Sequence, residues 1–299
     1  MKCCWLLLVI LFASFVASAH AEEKAASNER TIQQQCFEEL KKLPGKTNDT
    51  ELHAACASAL QLPSCVSTKG VKIFHIEKES KSKDIRKILV FALIHGDEST
   101  SGSVARSWLE RLTTIEPRNS WRIVPILNPD GRAKNTRVNA NGIDLNRNFP
   151  TKDWEKGALK YWEKNTKKDP RRFPGNTAAS ESETKCAMEH IASFEPNLIL
   201  SIHTPYGVLD FDGPKISFPN FPFIPWKSLG NYPGSLGRYM WVDQSKPILT
   251  VELQQKEAGD KLERFDRLQD ITGDIAIRSE KIINEQKKKA KKPNTQTNP

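Results

Sequence analysis

The sequence predicts an α/β protein built on a sheet whose inner strands are buried on both faces. Three stretches carry that prediction. Residues 88–94 form an unbroken apolar run, as a strand covered from both sides requires. Residues 198–202 and 247–251 are similar, apolar but for Ser201 and Thr250. Each run leads into a side chain that binds metals or protons: His95, His203 and Glu252. Open α/β sheets bind ligands at the carboxyl ends of their strands, so these ends are expected to meet.

The chain has 299 residues, enough for one large domain or one domain with an appendage. Residues 1–21 read as a signal peptide. Lys2 is a basic start, Trp5 to Val16 is apolar, and Ala19-His20-Ala21 is a small-x-small cleavage site. The apolar part is short for a membrane span. Export, to a periplasm or the extracellular space, is therefore expected. Beyond it remain Cys36, Cys56, Cys65 and Cys186. An oxidising compartment favours disulfides, and four cysteines leave three complete pairings open.

Residues 22–69 are expected to form a small helical appendage. Ile32, Cys36, Phe37 and Leu40 recur at helical spacing, and Pro44-Gly45 ends that helix. A second helix is expected over 51–60, stopped at Pro63, with Cys36–Cys56 as the staple of the hairpin. From residue 70 the alternation of Val71, Ile73 and His75 suggests a half-buried strand. His75 is read as a surface or packing histidine.

After the 88–94 run comes His95-Gly96-Asp97-Glu98. Gly96 permits a sharp turn, and the segment from Ser99 reads as a helix leaving it. His-x-x-Glu on one turn offers an imidazole and a carboxylate to one metal. Two histidines and a glutamate are a catalytic zinc set, and His203 at another strand end supplies the second histidine. His95, Glu98 and His203 are therefore the expected ligands of one Zn2+ per chain. Between the strands lie Asn128-Pro129-Asp130-Gly131 and the polar run from Arg137 to Pro150, RVNANGIDLNRNFP.

HGDE, NPDG, RVNANGIDLNRNF, SIH and TVEL, in that order, resemble the M14 family of zinc carboxypeptidases. Some features resemble its bacterial, murein peptide amidase-like members. The resemblance spans about residues 88–253. It implies a mixed, mostly parallel, twisted sheet with helices on both faces, as the catalytic domain over residues 70–284. It implies that Arg137 polarises the scissile carbonyl, that Asn146 and Arg147 bind the substrate's terminal carboxylate, and that Glu252 is the general base.

Residues 151–180 read as a cleft-shaping loop with a short helix near Trp154–Asn165. Helical spacing follows over 181–194. The stretch from Tyr206 to Pro214 reads as turn-rich, and 214–240 as loop. Tyr-Pro-Gly-Ser-Leu-Gly at 232–237 resembles a loop of the bacterial members, and Tyr232 and Tyr239 are candidates to cover the substrate. An amphipathic helix is expected over 262–283, then a basic, disordered tail over 285–299.

The tail contributes to a net charge of +9. An exported chain makes nucleic acid a poor partner, and points the tail toward an anionic cell wall or membrane surface. The expected function is that of an exported zinc metallocarboxypeptidase. Its expected substrate is a muropeptide, cut at the D-glutamyl–meso-diaminopimelate bond. The rivals are a general peptide carboxypeptidase and a non-catalytic cell-wall-binding relative.

Overall fold

The computed structural model describes residues 30–254 and 262–290. The signal-peptide stretch and the chain beyond Ala290 lie outside the described residues. A mixed sheet of seven strands runs through the molecule in the order β1-β2-β4-β3-β5-β7-β6. The strands are β1 (Leu60–Val66), β2 (Lys72–Lys78), β3 (Lys87–Phe91), β4 (Ser120–Val124), β5 (Leu198–His203), β6 (Val208–Asp212) and β7 (Ile248–Glu252). The inner pairs β3–β4, β3–β5 and β5–β7 are parallel. Antiparallel pairs complete both edges.

The apolar runs do what their composition predicts. Along β3, Ile88 and Val90 enter one core, and Leu89 and Phe91 enter the other. The first core takes Trp108 from α3 (Ser99–Thr114) and Leu268 and Ile275 from α7 (Asp266–Ala290). The second takes Ala187, Ile191 and Phe194 from α6 (Ser182–Phe194). Helices therefore cover both faces.

Several expectations need correction. The 88–94 run is not one strand: β3 stops at Phe91, and Leu93 takes a positive φ of 47°. Left-handed backbone ends extended geometry, so His95 stands on a loop that follows the strand. The helices α1 (Ile32–Lys41) and α2 (Asp49–Cys56) are present and stapled by Cys36–Cys56. They are not a separate appendage. Leu40 and Leu52 belong to the first core. Buried Arg106 of α3 donates to the carbonyls of Leu40, Leu43, Pro44, Gly45 and Lys46 between α1 and α2.

The boundary at 69 also falls too late. Residues 60–66 are the edge strand β1, tied to α6 by Cys65–Cys186. Pro63 tolerates this place because an edge strand leaves one row of N–H groups unused. At the other end, α7 continues to Ala290, so helix replaces the expected disorder over 285–290. Its last turn carries Lys287, Lys288 and Lys289, which suits the negative end of a helix dipole.

Behind β1 lies a buried pair of histidines. His75 and His190 pack edge to face at 4.8 Å. His190 sits 3.6 Å from the Cys65 sulfur, but joined as a disulfide the two sulfurs offer no thiolates to a metal. Burial, with His75 and Arg122 beside it, pushes the His190 imidazole down to about 3. An unfolded histidine titrates near 6.5, so between those values the unfolded chain binds the extra proton. The corresponding stability is complete above about pH 6.5 and is lost as pH falls toward 3. Between pH 6.5 and 5 the loss is about 2 kcal/mol. Urea midpoints of the parent and His190→Leu at both pH values test this: the variant is expected to be the less pH-sensitive. Parallel pH dependences would sink the assignment.

Candidate active site

Three backbone segments bring the expected side chains together. His95 and Glu98 stand on the turn after β3, where the Glu98 N–H donates to the His95 carbonyl. That turn presses on the NPDG segment. A Cβ on Gly96 would come within 2.0 Å of the Gly131 carbonyl carbon, so only glycine fits. Asn128 braces both sides: its side-chain oxygen accepts from Gly131 N–H, and its amide donates to the Ile94 and Arg137 carbonyls. His203 ends β5 and Glu252 ends β7, and the register sets them side by side.

The predicted ligand atoms converge. Glu98 Oε1 lies 2.8 Å from His95 Nδ1, and its Oε2 lies 3.0 Å from His203 Nδ1. The two Nδ1 atoms are 3.2 Å apart. Zinc bonds of about 2.0–2.1 Å in a tetrahedron subtend edges of roughly 3.3 Å, so this donor set fits Zn2+. All three residues are buried.

The far side of each imidazole is held as metal ligands require. His95 Nε2 is 3.1 Å from Asp144 Oδ1, and His203 Nε2 is 2.8 Å from Ser201 Oγ. These contacts assign the proton to Nε2 of His95 and leave Nδ1 free to ligate. Asp144 is fully buried. Burial alone would raise it, but Arg137 and His95 beside it outweigh that and hold it well below the usual carboxylate range. Residue patterns did not single out Asp144 or Ser201. Their signal is their position, one within the DLNRNF run and one two residues before His203.

Arg137 reaches the same centre. Its Nε and Nη2 each stand 3.0 Å from Asp144 Oδ2, and its Nη1 is 3.1 Å from His95 Nδ1. Glu252 is 8% exposed, and among the described residues its carboxylate accepts a long bond of 3.4 Å from Tyr206 N–H. Burial, partly offset by His203, raises its pKa above the ordinary glutamate value. A carboxylate in that state is a better proton acceptor.

These groups open on a cavity of about 650 Å³. Asn146 and Arg147 line it too. The Asn146 side-chain oxygen is taken by Leu236 N–H, which leaves its amide N–H groups as the donors. The Arg147 guanidinium lies 5.0 Å from the Tyr232 ring, and burial lowers its pKa. Arg171 and Arg172 are at the rim, paired with Asp97 and Asp169. Of the candidate tyrosines, Tyr232 borders the cavity, whereas Tyr239 packs against Phe149 in the core.

Sequence reading missed one wall. The stretch after His203 is not turn but strand β6, antiparallel to β7. Alternation of Leu209 and Phe211 with Val208, Asp210 and Asp212 was its signal.

Residues 60–211 match the family described as zinc carboxypeptidase. The match begins with β1 and includes every proposed site residue except Glu252. Murein peptide amidase A of Escherichia coli K12 is 35% identical over 124 residues, 41% of this chain and 50% of that protein. The chain thus spans about half the length of that relative. Murein peptide amidase A of Vibrio campbellii is 29% identical over 192 residues, covering 60% of this chain and 73% of its own. Among solved structures, murein-tripeptide amidase from Escherichia coli O157 aligns with a TM-score of 0.54 at 22% identity, over 72% of this chain and 92% of that one. Carboxypeptidase A from Helicoverpa armigera aligns with a TM-score of 0.54 at 16% identity, over 78% and 69%. At those identities the structures speak for the fold.

Proposed function

The chain belongs to the zinc carboxypeptidase family, and from that premise we propose that it is an exported exopeptidase. Its proposed substrate is a muropeptide, cut at the D-glutamyl–meso-diaminopimelate bond. The observation that carries the exopeptidase reading is one cavity lined by His95, Glu98, His203 and Glu252 together with Asn146 and Arg147. The relatives named murein peptide amidase A support the substrate class.

His95, Glu98 and His203 would hold the metal. Zinc bound there would polarise a carbonyl and acidify a water. Glu252 takes the attacking water's proton and later delivers it to the leaving amine. Arg137 is fixed by Asp144 and donates to the oxyanion that develops on the scissile carbonyl. Arg147 and Asn146 hold the terminal carboxylate, which places the bond one residue from the chain end. Arginine suits that task because its planar fork can grip a carboxylate with paired bonds.

The test uses the zinc-loaded protein on a purified tripeptide muropeptide and on a plain peptide ending in leucine. Release of diaminopimelate, with slower release of leucine, is expected. Cleavage confined to the plain peptide would remove the muropeptide reading. Arg147→Ala is expected to raise KM about 10- to 100-fold, because hydrogen bonds to a charged group contribute about 1.5–3 kcal/mol. A KM unchanged in that variant would reassign the carboxylate site.

A further inference from the structure

A second group of metal-binding side chains lies behind β1, and none of it lines the active-site cavity. Cys65 of β1 and Cys186 and His190 of α6 are fully buried, with a ligand atom of each within 4.8 Å of the others. Cys186 and His190 stand one helical turn apart on α6, a spacing that aims two ligands at one metal. Cys65 meets them from the edge of the sheet, 121 residues earlier in the chain. His75 of β2 packs against His190 and is 2% exposed.

Two observations mark this group as more than packing. The first is geometric. His190 Nε2 lies 3.6 Å from the Cys65 sulfur. Zinc bonds of about 2.3 Å to sulfur and 2.0–2.1 Å to nitrogen, set in a tetrahedron, give nitrogen–sulfur edges of roughly 3.6 Å. The second is a polar atom without a partner. Among the described residues, His75 Nδ1 is buried and has no hydrogen-bond partner, which costs stability unless something fills it. The other nitrogen of that ring, Nε2, faces the Glu77 carboxylate at 3.5 Å. Arg122 holds that carboxylate in turn. A carboxylate behind one ring nitrogen keeps the proton there and leaves the lone pair of the other for a metal.

In the oxidised chain the Cys65–Cys186 disulfide closes the group. We propose that the reduced chain binds a second zinc there, on Cys65, Cys186, His190 and His75, so that a metal replaces the disulfide as the tie between β1 and α6. Two cysteines and two histidines are a structural zinc set. The exchange balances. A dithiol gives up two electrons and two protons and closes to its own disulfide, while the Cys65–Cys186 bond opens to two thiols. Once open, the sulfurs can part to the roughly 3.8 Å that tetrahedral zinc–sulfur bonds need. Zinc then displaces both thiol protons to solvent. The edge strand is thus held to its helix in either redox state.

The experiment counts metal in the full chain. One sample is left oxidised and one is treated with a dithiol, which is then removed without air. Both are loaded with Zn2+ and freed of excess metal. One zinc per oxidised chain and two per reduced chain are expected. Co2+ in place of Zn2+ reports the donors. The active-site set contains no sulfur, so thiolate-to-cobalt charge-transfer absorption belongs to the second site, and it is expected only after reduction. His190→Gln and His75→Gln keep all four cysteines. Each is expected to weaken cobalt binding, read from this absorption, by at least about tenfold, since even groups behind a ligand are worth that much.

Alkylation of the reduced parent assigns the site without any substitution. Zinc is expected to slow modification of Cys65 and Cys186 and to leave Cys36 and Cys56 as they were. A reduced parent that takes up no more metal than the oxidised one would overturn the proposal. So would a thiolate band that neither histidine variant changes, or zinc protection confined to Cys36 and Cys56.

Discussion

Replacing Glu252 with glutamine is expected to leave a folded, zinc-loaded protein that barely turns over. Glutamine keeps the shape of the side chain and can still accept from Tyr206 N–H, but it cannot take a proton. General acid–base groups contribute roughly 100- to 10,000-fold, so kcat should fall by about that factor with KM little changed. The neighbours make the substitution clean. Glu252 lies beside His203 in the sheet register but outside the set of atoms that converge on Glu98. Zinc content measured beside the rate separates the roles. A variant that loses zinc would make Glu252 a ligand, and one that keeps both zinc and rate would remove it from the mechanism.

The second large effect concerns the metal. His203→Ala is expected to lose most bound zinc and all measurable activity together, because one vertex of the donor triangle disappears. The contacts behind the histidines should matter less but visibly. Ser201→Ala removes the partner of the His203 Nε2, and Asp144→Asn takes the charge from the partner of the His95 Nε2. Such partners are worth roughly 10- to 100-fold in metal affinity or activity. Chelator competition ranks the three variants. Full zinc in His203→Ala would break the assignment, whatever the rate.

The strands that carry His203 and Glu252 were legible because burial on both faces writes itself as a nearly continuous apolar run, broken here only by Ser201 and Thr250. The ligand set was legible because His-x-x-Glu confines two donors to one turn, and few histidines remain to complete it. What stayed hidden depended on contacts between distant segments. Pro63 argues against a strand unless that strand is known to be an edge. Asp210 and Asp212 look like turn residues until β7 is seen beside them. Asp144 reads as one more polar residue of a loop. Its place behind His95 follows only when the turn after β3 packs on the NPDG segment. The positive φ at Leu93, which carries His95 out of its strand, likewise has no marker in a run of large apolar residues.

The grip of Arg106 on the chain between α1 and α2 bears on how far this protein can be trimmed. A shortened version beginning at residue 70 looks reasonable from sequence, since every proposed active-site residue would be kept. It would, however, strip the Arg106 guanidinium of its five carbonyl acceptors and uncover the part of the core on which they sit. Glu110, 3.7 Å from the guanidinium on the same helix, would remain beside it, and the first core would lose the cover of Leu40 and Leu52. The same cut would take away the edge of the sheet and leave Cys186 a lone thiol. The segment from residue 30 to residue 69 is therefore part of the smallest piece that can stand as an enzyme, and a library of truncations should find its tolerated start upstream of α1.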